Sequence, residues 1–352
     1  MVSRELLKPC KPYELYKPYE LYKLYELYKL IVMIRVGIAG AAGYTAGELI
    51  RILVNHPAVE LRYLQSESHR EEPIGRVHRD LLYSKQVFTD LDFDDIDVLF
   101  LCMGHGVSAR FLSENKIPPS VRVIDLSNDF RLRASAGNFV YGLPELNKDK
   151  IMECQRVANP GCFATAIELA LLPFAKSGLL TDRITVFGIT GSTGAGQRPT
   201  EETHYSNRAQ NLSVYKVFTH QHLGEIRETL QEAGAKTEPD IAFVPVRGCH
   251  TRGIMVNVVF QSKATLEELT TLYKTYYEQH PFVLMSDEPV SLKQVVNTNY
   301  CFIHPDKEGD NVLVTSMIDN LIKGASGQAV QNMNLMFGLD EMTGLRLKAN
   351  YF

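Results

Sequence analysis

One cysteine of this chain lies where a thiol could act as a nucleophile. Cys162 follows Pro160 and Gly161, and neither proline nor glycine continues a regular helix or strand. The apolar run from Ala164 to Leu172 predicts a helix, so we expect the thiol at the turn that opens it. The free N–H groups and positive dipole end of a helix N-terminus favour a thiolate, which predicts a lowered pKa for Cys162. We therefore predict Cys162 as the nucleophile of a covalent reaction.

A glycine-rich segment upstream predicts a dinucleotide site. It follows a short β-rich run, Ile34 to Ala39, and precedes a helix-like segment, Thr45 to Asn55. The glycine spacing is GxxGxxG and not the stricter GxGxxG, but glycines at such a turn still let the backbone approach a pyrophosphate at the helix N-terminus. The predicted cofactor-binding residues of this segment are Gly37, Gly40, Ala41, Ala42, Gly43, Tyr44 and Thr45.

The segment after the second predicted strand, Val59 to Leu64, bears on the choice of cofactor. Ser66, Ser68 and Arg70 offer hydroxyls and a cation, which suit the 2′-phosphate of NADP. Glu67 would instead suit the free ribose hydroxyl of NAD. The balance favours NADP(H), with Ser66, Ser68 and Arg70 as its ligands.

Composition excludes several classes of function. The chain has 352 residues, 45% of them hydrophobic and 22% charged, which is typical of a globular protein of two domains. A formal net charge of −4 gives no electrostatic case for nucleic acid or a membrane surface, and no apolar run approaches the length of a membrane span. Six cysteines without a CxxC pair predict reduced thiols in the cytoplasm.

The order of predicted elements changes along the chain. Up to about residue 155, strands alternate with helices, which predicts an α/β fold with a parallel, doubly wound sheet. Later runs predict a second, α+β domain with a mixed or antiparallel sheet.

Residues 1–32 differ from the rest. The hexamer Tyr-Glu-Leu-Tyr-Lys-Pro/Leu occurs three times, and its tyrosine spacing of three fits neither the strand nor the helix period. We interpret residues 1–32 as a low-complexity extension, disordered or spurious, with Met33 as a plausible true start. A functional interaction tail is the alternative.

The chain resembles the N-acyl-γ-glutamyl-phosphate reductases, usually written with an N-acetyl substrate, which belong to the superfamily of aspartate-semialdehyde dehydrogenase. The resemblance runs from about Met33 to the end. Its motifs are Gly37 to Gly47, Asp125 to Arg131, Tyr141-Gly142-Leu143-Pro144-Glu145, Asn159 to Thr165, Gly191 to Gly196, His220-Gln221-His222, Pro245 to Gly248 and Lys323 to Asn332.

This resemblance implies a Rossmann domain of residues 33–158 plus about 318–352, and a catalytic and oligomerisation domain of residues 159–317. It implies NADPH-dependent reduction of a small anionic acyl phosphate to the semialdehyde (EC 1.2.1.38) in arginine biosynthesis. Phosphate would leave as Cys162 forms a thioester. It also implies a cytoplasmic homo-oligomer, a dimer or a tetramer.

The resemblance also suggests the catalytic base. His222 is the first choice, with His220 nearby for substrate or phosphate; in an extended segment both would point the same way. His250 is a competitor, and His105 is expected to line the cofactor cleft. A metal pair of His220 and His222 lacks a third ligand at suitable spacing, so we predict no metal.

Other site residues follow from the same resemblance and from charge. An acyl phosphate with a carboxylate needs cations, and Arg forks suit both groups. The predicted substrate-binding residues are Arg131, Asn159 and Arg247, and the further cofactor-binding residues are His105, Ser192, Gly194, Ala195, Gly196, Asn320 and Gln328.

Two alternatives remain open. An aspartate-semialdehyde dehydrogenase would perform the same chemistry on a shorter acyl phosphate. A non-catalytic, NADP-sensing interaction protein would keep the fold and use the tyrosine repeat for docking. The N-acyl group, acetyl or succinyl, is not encoded in any motif.

Overall fold

Two β-sheets organise the residues that the computed structural model describes, 33–180 and 183–351. The predicted extension, residues 1–32, lies outside these ranges. The strands are β1 Ile34–Ala39, β2 Val59–Gln65, β3 Val98–Leu101, β4 Arg122–Asp125, β5 Val140–Tyr141, β6 Arg156–Ala158, β7 Arg183–Thr190, β8 Ser213–Val214, β9 Asp240–Arg247, β10 Ile254–Gln261, β11 Val283–Met285, β12 Cys301–Glu308 and β13 Asn311–Ile318.

Helices connect and cover these strands. The α-helices are α1 Tyr44–Leu53, α2 Val107–Glu114, α3 Arg133–Ala136, α4 Pro144–Glu153, α5 Cys162–Ser177, α6 Tyr205–Arg208, α7 His222–Ala233, α8 Leu266–Tyr277 and α9 Gly327–Met336. Short 3₁₀ turns include Ser192–Ala195, and a π-helical turn, Ile322–Ser326, leads into α9. In the part of the chain that the structure describes, no helix is long and apolar enough to cross a membrane.

The first sheet is parallel throughout, with the order β2-β1-β3-β4-β6-β5. All four residues of β3 are buried, as expected for a strand covered on both faces. The order reverses between β1 and β3, and ligands of such sheets bind beyond the carboxyl ends of the strands at this point. The α/β prediction with a doubly wound parallel sheet is therefore confirmed.

The second sheet is mixed, with the order β11-β12-β13-β10-β7-β9-β8. Residues of β7 alternate between exposed and buried, so one face carries the core. The residues of α5 from Phe163 to Ala175 are all buried, because this helix lies between the sheet, α7 and α8. The α+β prediction for this region is also confirmed.

The end of the chain packs on the first sheet. Ile322, Ala329 and Met333 share a hydrophobic core with Val36 and Ile38 of β1. The π-helical turn and α9 thus close the first core, although the second sheet lies between them and the first sheet in the sequence. This return brings the turn before α9 next to the start of α5.

Candidate active site

A cavity of about 700 Å³ lies at the carboxyl ends of β1 and β3 and reaches the start of α5. This volume is in the range of sites for small molecules. Its lining includes Gly43, Tyr44, Thr45, His105, Arg131, Cys162, Gly194, Ala195, Gly196, Tyr215, Lys216, His220, His222, Arg247 and Asn320. The structure therefore brings together most of the site residues predicted from the sequence.

Cys162 is the first residue of α5, as predicted, and Gly161 caps the helix with extended backbone (φ −72°, ψ 150°). Any residue could adopt this backbone, so glycine is required for space. A Cβ on Gly161 would lie 2.4 Å from Nε2 of His222 and 2.7 Å from Oε1 of Glu225. On the other side, a Cβ on Gly324 would lie 2.7 Å from Cβ of Cys162. Two glycines thus fix the position of the thiol.

The expected lowering of the thiol pKa is wrong for the free cavity. Burial raises the pKa of Cys162 to about 11, and the charge of Arg131 and the backbone N–H of Phe163 oppose this shift only in part. The loss of hydration on burial outweighs the stabilisation of a thiolate by the helix N-terminus and by Arg131. The thiol therefore needs a base to remove its proton at neutral pH.

Two buried imidazoles line the same cavity as the thiol. His222 is the first residue of α7, so the extended arrangement, in which both side chains point the same way, does not apply to this pair. The rings of His220 and His222 nevertheless lie 4.6 Å apart, centroid to centroid, and both line the cavity. Burial lowers the pKa of His222 well below its usual value, with Arg131 as the next cause. Burial, followed by the charge of His222, lowers the pKa of His220 to about 3.

Hydrogen bonding distinguishes the two rings. Nδ1 of His220 accepts the backbone N–H of His222 at 3.3 Å, so a neutral His220 carries its proton on Nε2. Nε2 of His222 lies 3.9 Å from Oε1 of Glu225 and next to Gly161. Both rings are neutral at pH 7, which leaves His222 able to accept a proton and His220 able to donate one.

The two other candidate histidines differ in position. Nε2 of His250 pairs with the carbonyl of Gly253 at 3.3 Å, and His250 does not line the cavity. This placement makes it a poor candidate for the base. His105 does line the cavity, and its Nδ1 accepts the N–H of Asn128 at 3.2 Å.

Three cationic side chains reach the cavity, and Arg131 makes more hydrogen bonds to the protein than the other two. The guanidinium of Arg131 is buried and donates to the carbonyls of Asn159 (2.8 Å) and Leu126 (3.1 Å) and to Oε1 of Glu225 (3.2 Å). Arg247 lies over the ring of Tyr215, 4.7 Å from its centroid. Lys216 donates to Gln221 at the cavity wall. Arg247 and Lys216 are thus better placed than Arg131 to hold substrate anions.

The glycine turn after β1 fits a cofactor phosphate. Gly40 has a φ of +75°, and a Cβ there would lie 2.7 Å from the carbonyl oxygen of Cys102, so only glycine fits. No side chain caps α1 at Gly43, which leaves the N–H groups of its first turn for an anion. Asn320 supports the opposite wall, because its amide joins the N–H of Gly253 (2.7 Å) to the hydroxyl of Thr193 (3.0 Å).

The comparisons with known proteins identify the family. Residues 35–154 match the model of the semialdehyde dehydrogenase NAD binding domain, and residues 162–320 match that of the semialdehyde dehydrogenase dimerisation domain. N-acetyl-gamma-glutamyl-phosphate reductase of Phocaeicola vulgatus is 51% identical over 322 residues, which cover 91% of this chain and 100% of the relative. Its namesake from Christiangramia forsetii is 50% identical over 321 residues, with the same coverage. The chain belongs to the N-acetyl-gamma-glutamyl-phosphate reductase family.

Membership of this reductase family confirms the resemblance found in the sequence. The chain is therefore an enzyme, an oxidoreductase of the semialdehyde dehydrogenase type (EC 1.2.1.38). Solved structures share its fold at low identity. Aspartate semialdehyde dehydrogenase II from Vibrio cholerae superposes with a TM-score of 0.67 at 17% identity, covering 87% of this chain and 99% of that one. The Candida albicans aspartate semialdehyde dehydrogenase with NADP gives 0.65 at 14%, covering 87% and 98%.

Ten residues predicted to bind ligands in this reductase lie outside the cavity lining, and four of them are Gly37, Asn159, Gln328 and Ser192. Gly37 lies inside β1, where a Cβ would be 3.0 Å from Cδ1 of Ile96, so packing explains this glycine. The amide of Asn159 is held by Asn332 (3.1 Å) and the carbonyl of Ala325 (3.2 Å). Gln328 donates to the hydroxyl of Thr165 at 3.0 Å inside the core. Ser192 begins the 3₁₀ turn, and its N–H donates to the carbonyl of His250. The binding roles of these residues stay predictions, because ordered motifs do not reveal which side chains turn inward.

Ala41 and the residues after β2 lie beside the glycine turn rather than in the cavity lining. The N–H groups of Gly40 and Ala41 donate to Gln65, the last residue of β2, and Ala42 follows in the same turn. Ser66 is buried, with its hydroxyl 3.4 Å from that of Ser68. Arg70 is exposed and pairs with Asp90.

Sequence reasoning missed a buried carboxylate at the centre of the site. Glu225 accepts the N–H of Gly161 (3.0 Å) and the hydroxyl of Tyr141 (2.8 Å) and pairs with Arg131. Its position three residues after His222 was a usable signal, since residues three apart share one face of a helix. Lys216 was missed because nothing in its sequence context distinguishes it from a surface lysine.

Proposed function

We propose that this chain reduces N-acetyl-γ-glutamyl phosphate to N-acetylglutamate semialdehyde with NADPH, releasing phosphate, in arginine biosynthesis. The observation that carries the proposal is the position of Cys162. Its thiol opens a helix inside the cavity that also holds His220, His222 and Arg247. The names of the relatives at about half identity support the substrate.

His222 acts first, because the raised pKa of the thiol requires a base. Its neutral ring accepts the thiol proton, and the sulfur of Cys162 attacks the acyl carbon. The bond from that carbon to the phosphate oxygen breaks, and phosphate departs. The acyl group remains bound to Cys162 as a thioester. A bound reduced nicotinamide supplies the hydride for the acyl carbon. The resulting thiohemiacetal alkoxide re-forms a carbonyl as the carbon–sulfur bond breaks. The aldehyde leaves, and protonated His222 returns its proton to the sulfur of Cys162.

Two anionic groups of the substrate need partners. Arg247 and Lys216 would hold the carboxylate and the phosphate, and Nε2–H of His220 would donate to an anionic oxygen. Arg131 would act indirectly, by fixing the carbonyl of Asn159 next to the catalytic turn.

We further propose NADP(H) as the cofactor. The N-terminus of α1 with Gly43, Tyr44 and Thr45 would bind the pyrophosphate, and His105, Gly194, Ala195, Gly196 and Asn320 would line the nicotinamide end. Ser66, Ser68 and Arg70 would surround the 2′-phosphate, because they follow β2 beside the glycine turn.

The domain division and assembly are also proposals. Residues 33–158 with 318–352 would form the cofactor domain, and residues 159–317 the catalytic and oligomerisation domain; the shared core of β1 and α9 supports this. Phe187 and Val259 remain exposed on the face of the second sheet away from α5, which suits contact with a second copy. The free thiols of Cys102, Cys154, Cys162, Cys249 and Cys301 support a cytoplasmic location.

The deciding assay follows the reverse reaction. We expect NADPH formation from N-acetylglutamate semialdehyde, NADP and phosphate, with far lower rates for aspartate semialdehyde, and a comparison with the N-succinyl analogue defines the acyl group. Cys162→Ala should abolish turnover. Preference for aspartate semialdehyde, or full activity of Cys162→Ala, would contradict the proposal. Binding of NADPH without turnover of any substrate would favour the sensor alternative.

A further inference from the structure

A carboxylate interrupts the apolar helix that carries the thiol. Glu168 lies among mostly apolar residues of α5 and is buried, with an exposed fraction of 0%. A buried carboxyl needs either a cation or a proton to compensate its charge. Arg131, the cation of this region, is bound to Glu225 instead.

Tyr141 links the two carboxyl groups. Its hydroxyl oxygen lies 2.8 Å from Oε2 of Glu225 and 2.9 and 3.1 Å from the two carboxyl oxygens of Glu168. A phenol has one proton and can donate it to only one carboxylate. The second contact is a hydrogen bond only if the other carboxyl group carries a proton and donates it to the phenol oxygen. With one additional proton in this buried group, both contacts are ordinary hydrogen bonds.

The partners of each carboxyl group show which one holds that proton. Glu225 accepts from Arg131, Gly161 and Tyr141, and three donors stabilise an ionised carboxylate. Among the residues that the structure describes, Glu168 has two hydroxyl partners, those of Tyr141 and Thr229. Burial, together with the charge of Glu225, raises the pKa of Glu168 to about 8.

Glu225, the ionised carboxylate of the pair, contacts the catalytic turn, which is formed by Pro160, Gly161 and Cys162. Glu225 binds the N–H of the residue before Cys162, and it lies 3.9 Å from Nε2 of His222. A second, separate cavity of about 220 Å³ is lined by Tyr141, Glu225 and Thr229, so protons can exchange with water there. We propose that Glu168, acting through Tyr141, stores a proton beside the catalytic turn and is a positioning residue for Cys162 and His222.

The consequence is a second titration in the site. When Glu168 loses its proton to water, a second negative charge appears next to Glu225. This charge disfavours the thiolate of Cys162 and loosens the hold of Glu225 on Gly161. The charged and titratable groups that face Glu168 are Glu225 from α7, Tyr141 from β5 and Arg131 from the segment before α3. This inference rests on the proposed role of Cys162, but its test needs neither substrate nor cofactor.

The test compares the wild type with Glu168→Gln, whose amide keeps the shape and the hydrogen bond of the protonated acid. Glu153→Gln, at an exposed carboxylate of α4, is the control. The first measurement is the infrared carbonyl band of a protonated carboxylic acid in the free enzyme. We expect the wild type to lose a band between about pH 6.5 and about pH 9. Glu168→Gln should lack this band at both values, and the control should behave as the wild type.

The second measurement is the rate at which iodoacetamide alkylates Cys162. We compare the rate for Glu168→Gln with the rate for the wild type. The ratio of the two should be near one at about pH 6.5. It should rise about two- to fourfold by about pH 9, because the wild type then carries one added negative charge at moderate distance from the thiol. The kcat/KM ratio should follow the same course.

Two results would overturn the proposal: a titrating acid band that persists in Glu168→Gln, or an alkylation ratio that stays constant with pH. If Glu168→Gln fails to fold, Tyr141→Phe replaces it. Removing the hydroxyl that links Glu168 to Glu225 should shift the pH at which the band is lost, and an unshifted band would equally refute the proposal. Because both readouts use the free enzyme, they decide the role of Glu168 even if the proposed substrate is wrong.

Discussion

The space at Gly161 provides a sharp test of the proposed active site. In Gly161→Ala the new Cβ would lie 2.4 Å from Nε2 of His222, whereas ordinary contacts begin at about 3.4 Å. The imidazole must therefore move by about 1 Å, since the extended backbone at this position (φ −72°) accepts alanine without strain. A misplacement of about 1 Å can reduce a rate by about 100-fold, or about 2.7 kcal/mol of transition-state stabilisation.

The assay is kcat/KM for the reverse reaction, together with the thermal midpoint of unfolding. Gly224→Ala is the matched control: it lies in the same helix as His222, and its Cβ would meet only the side chain of Leu132 at 3.1 Å. We expect Gly161→Ala to remain folded, with a destabilisation of about 1–3 kcal/mol from overpacking, while Gly224→Ala keeps its activity. Wild-type kcat/KM in Gly161→Ala would refute the placement of His222 as the base.

Four further predictions follow from the site. Cys162→Ser should lose at least about 1000-fold in kcat without a change in cofactor affinity, measured by fluorescence titration, because a serine hydroxyl ionises far less readily than a thiol; retained turnover would contradict the thioester. Arg247→Ala should raise the KM for the acyl phosphate about 10- to 100-fold through loss of a charge-assisted hydrogen bond, and an unchanged KM would remove Arg247 from the substrate site. Arg70→Ala should raise the KM for NADP about tenfold and leave that for NAD unchanged, whereas equal effects on both would place the 2′-phosphate elsewhere. Alkylation of Cys162 in the free enzyme should still increase between about pH 8 and about pH 10, because burial raises the pKa of the thiol to about 11; a plateau near neutral pH would show that this direction is wrong.

The sequence predicted the elements that carry the chemistry better than it predicted the environment around them. A proline and a glycine before an apolar run were enough to place Cys162 at the start of a helix, and the glycine turn followed β1 as expected. The direction of the thiol pKa could not be predicted, because it depends on how much water the rest of the fold removes from the helix N-terminus. The same applies to Arg131, whose inward hydrogen bonds arise from segments far apart in the sequence.

The shortest strands escaped prediction for a different reason. β5 has two residues and β6 three, so neither shows a period that could be recognised. Yet β5 supplies Tyr141, and the motif around this tyrosine was identified by its resemblance without any role for it. Its role depends on Glu168 and Glu225, which lie 27 and 84 residues further along the chain.

The nearly complete burial of α5 links catalysis to folding. One helix supplies both the reacting sulfur and much of the interior beneath the second sheet. Efforts to broaden the substrate range by directed evolution should therefore leave this helix alone and vary the segment around Lys216, which forms a more exposed part of the cavity wall. Libraries built in α5 would return mostly insoluble variants, and those that survive would report on packing rather than on substrate choice.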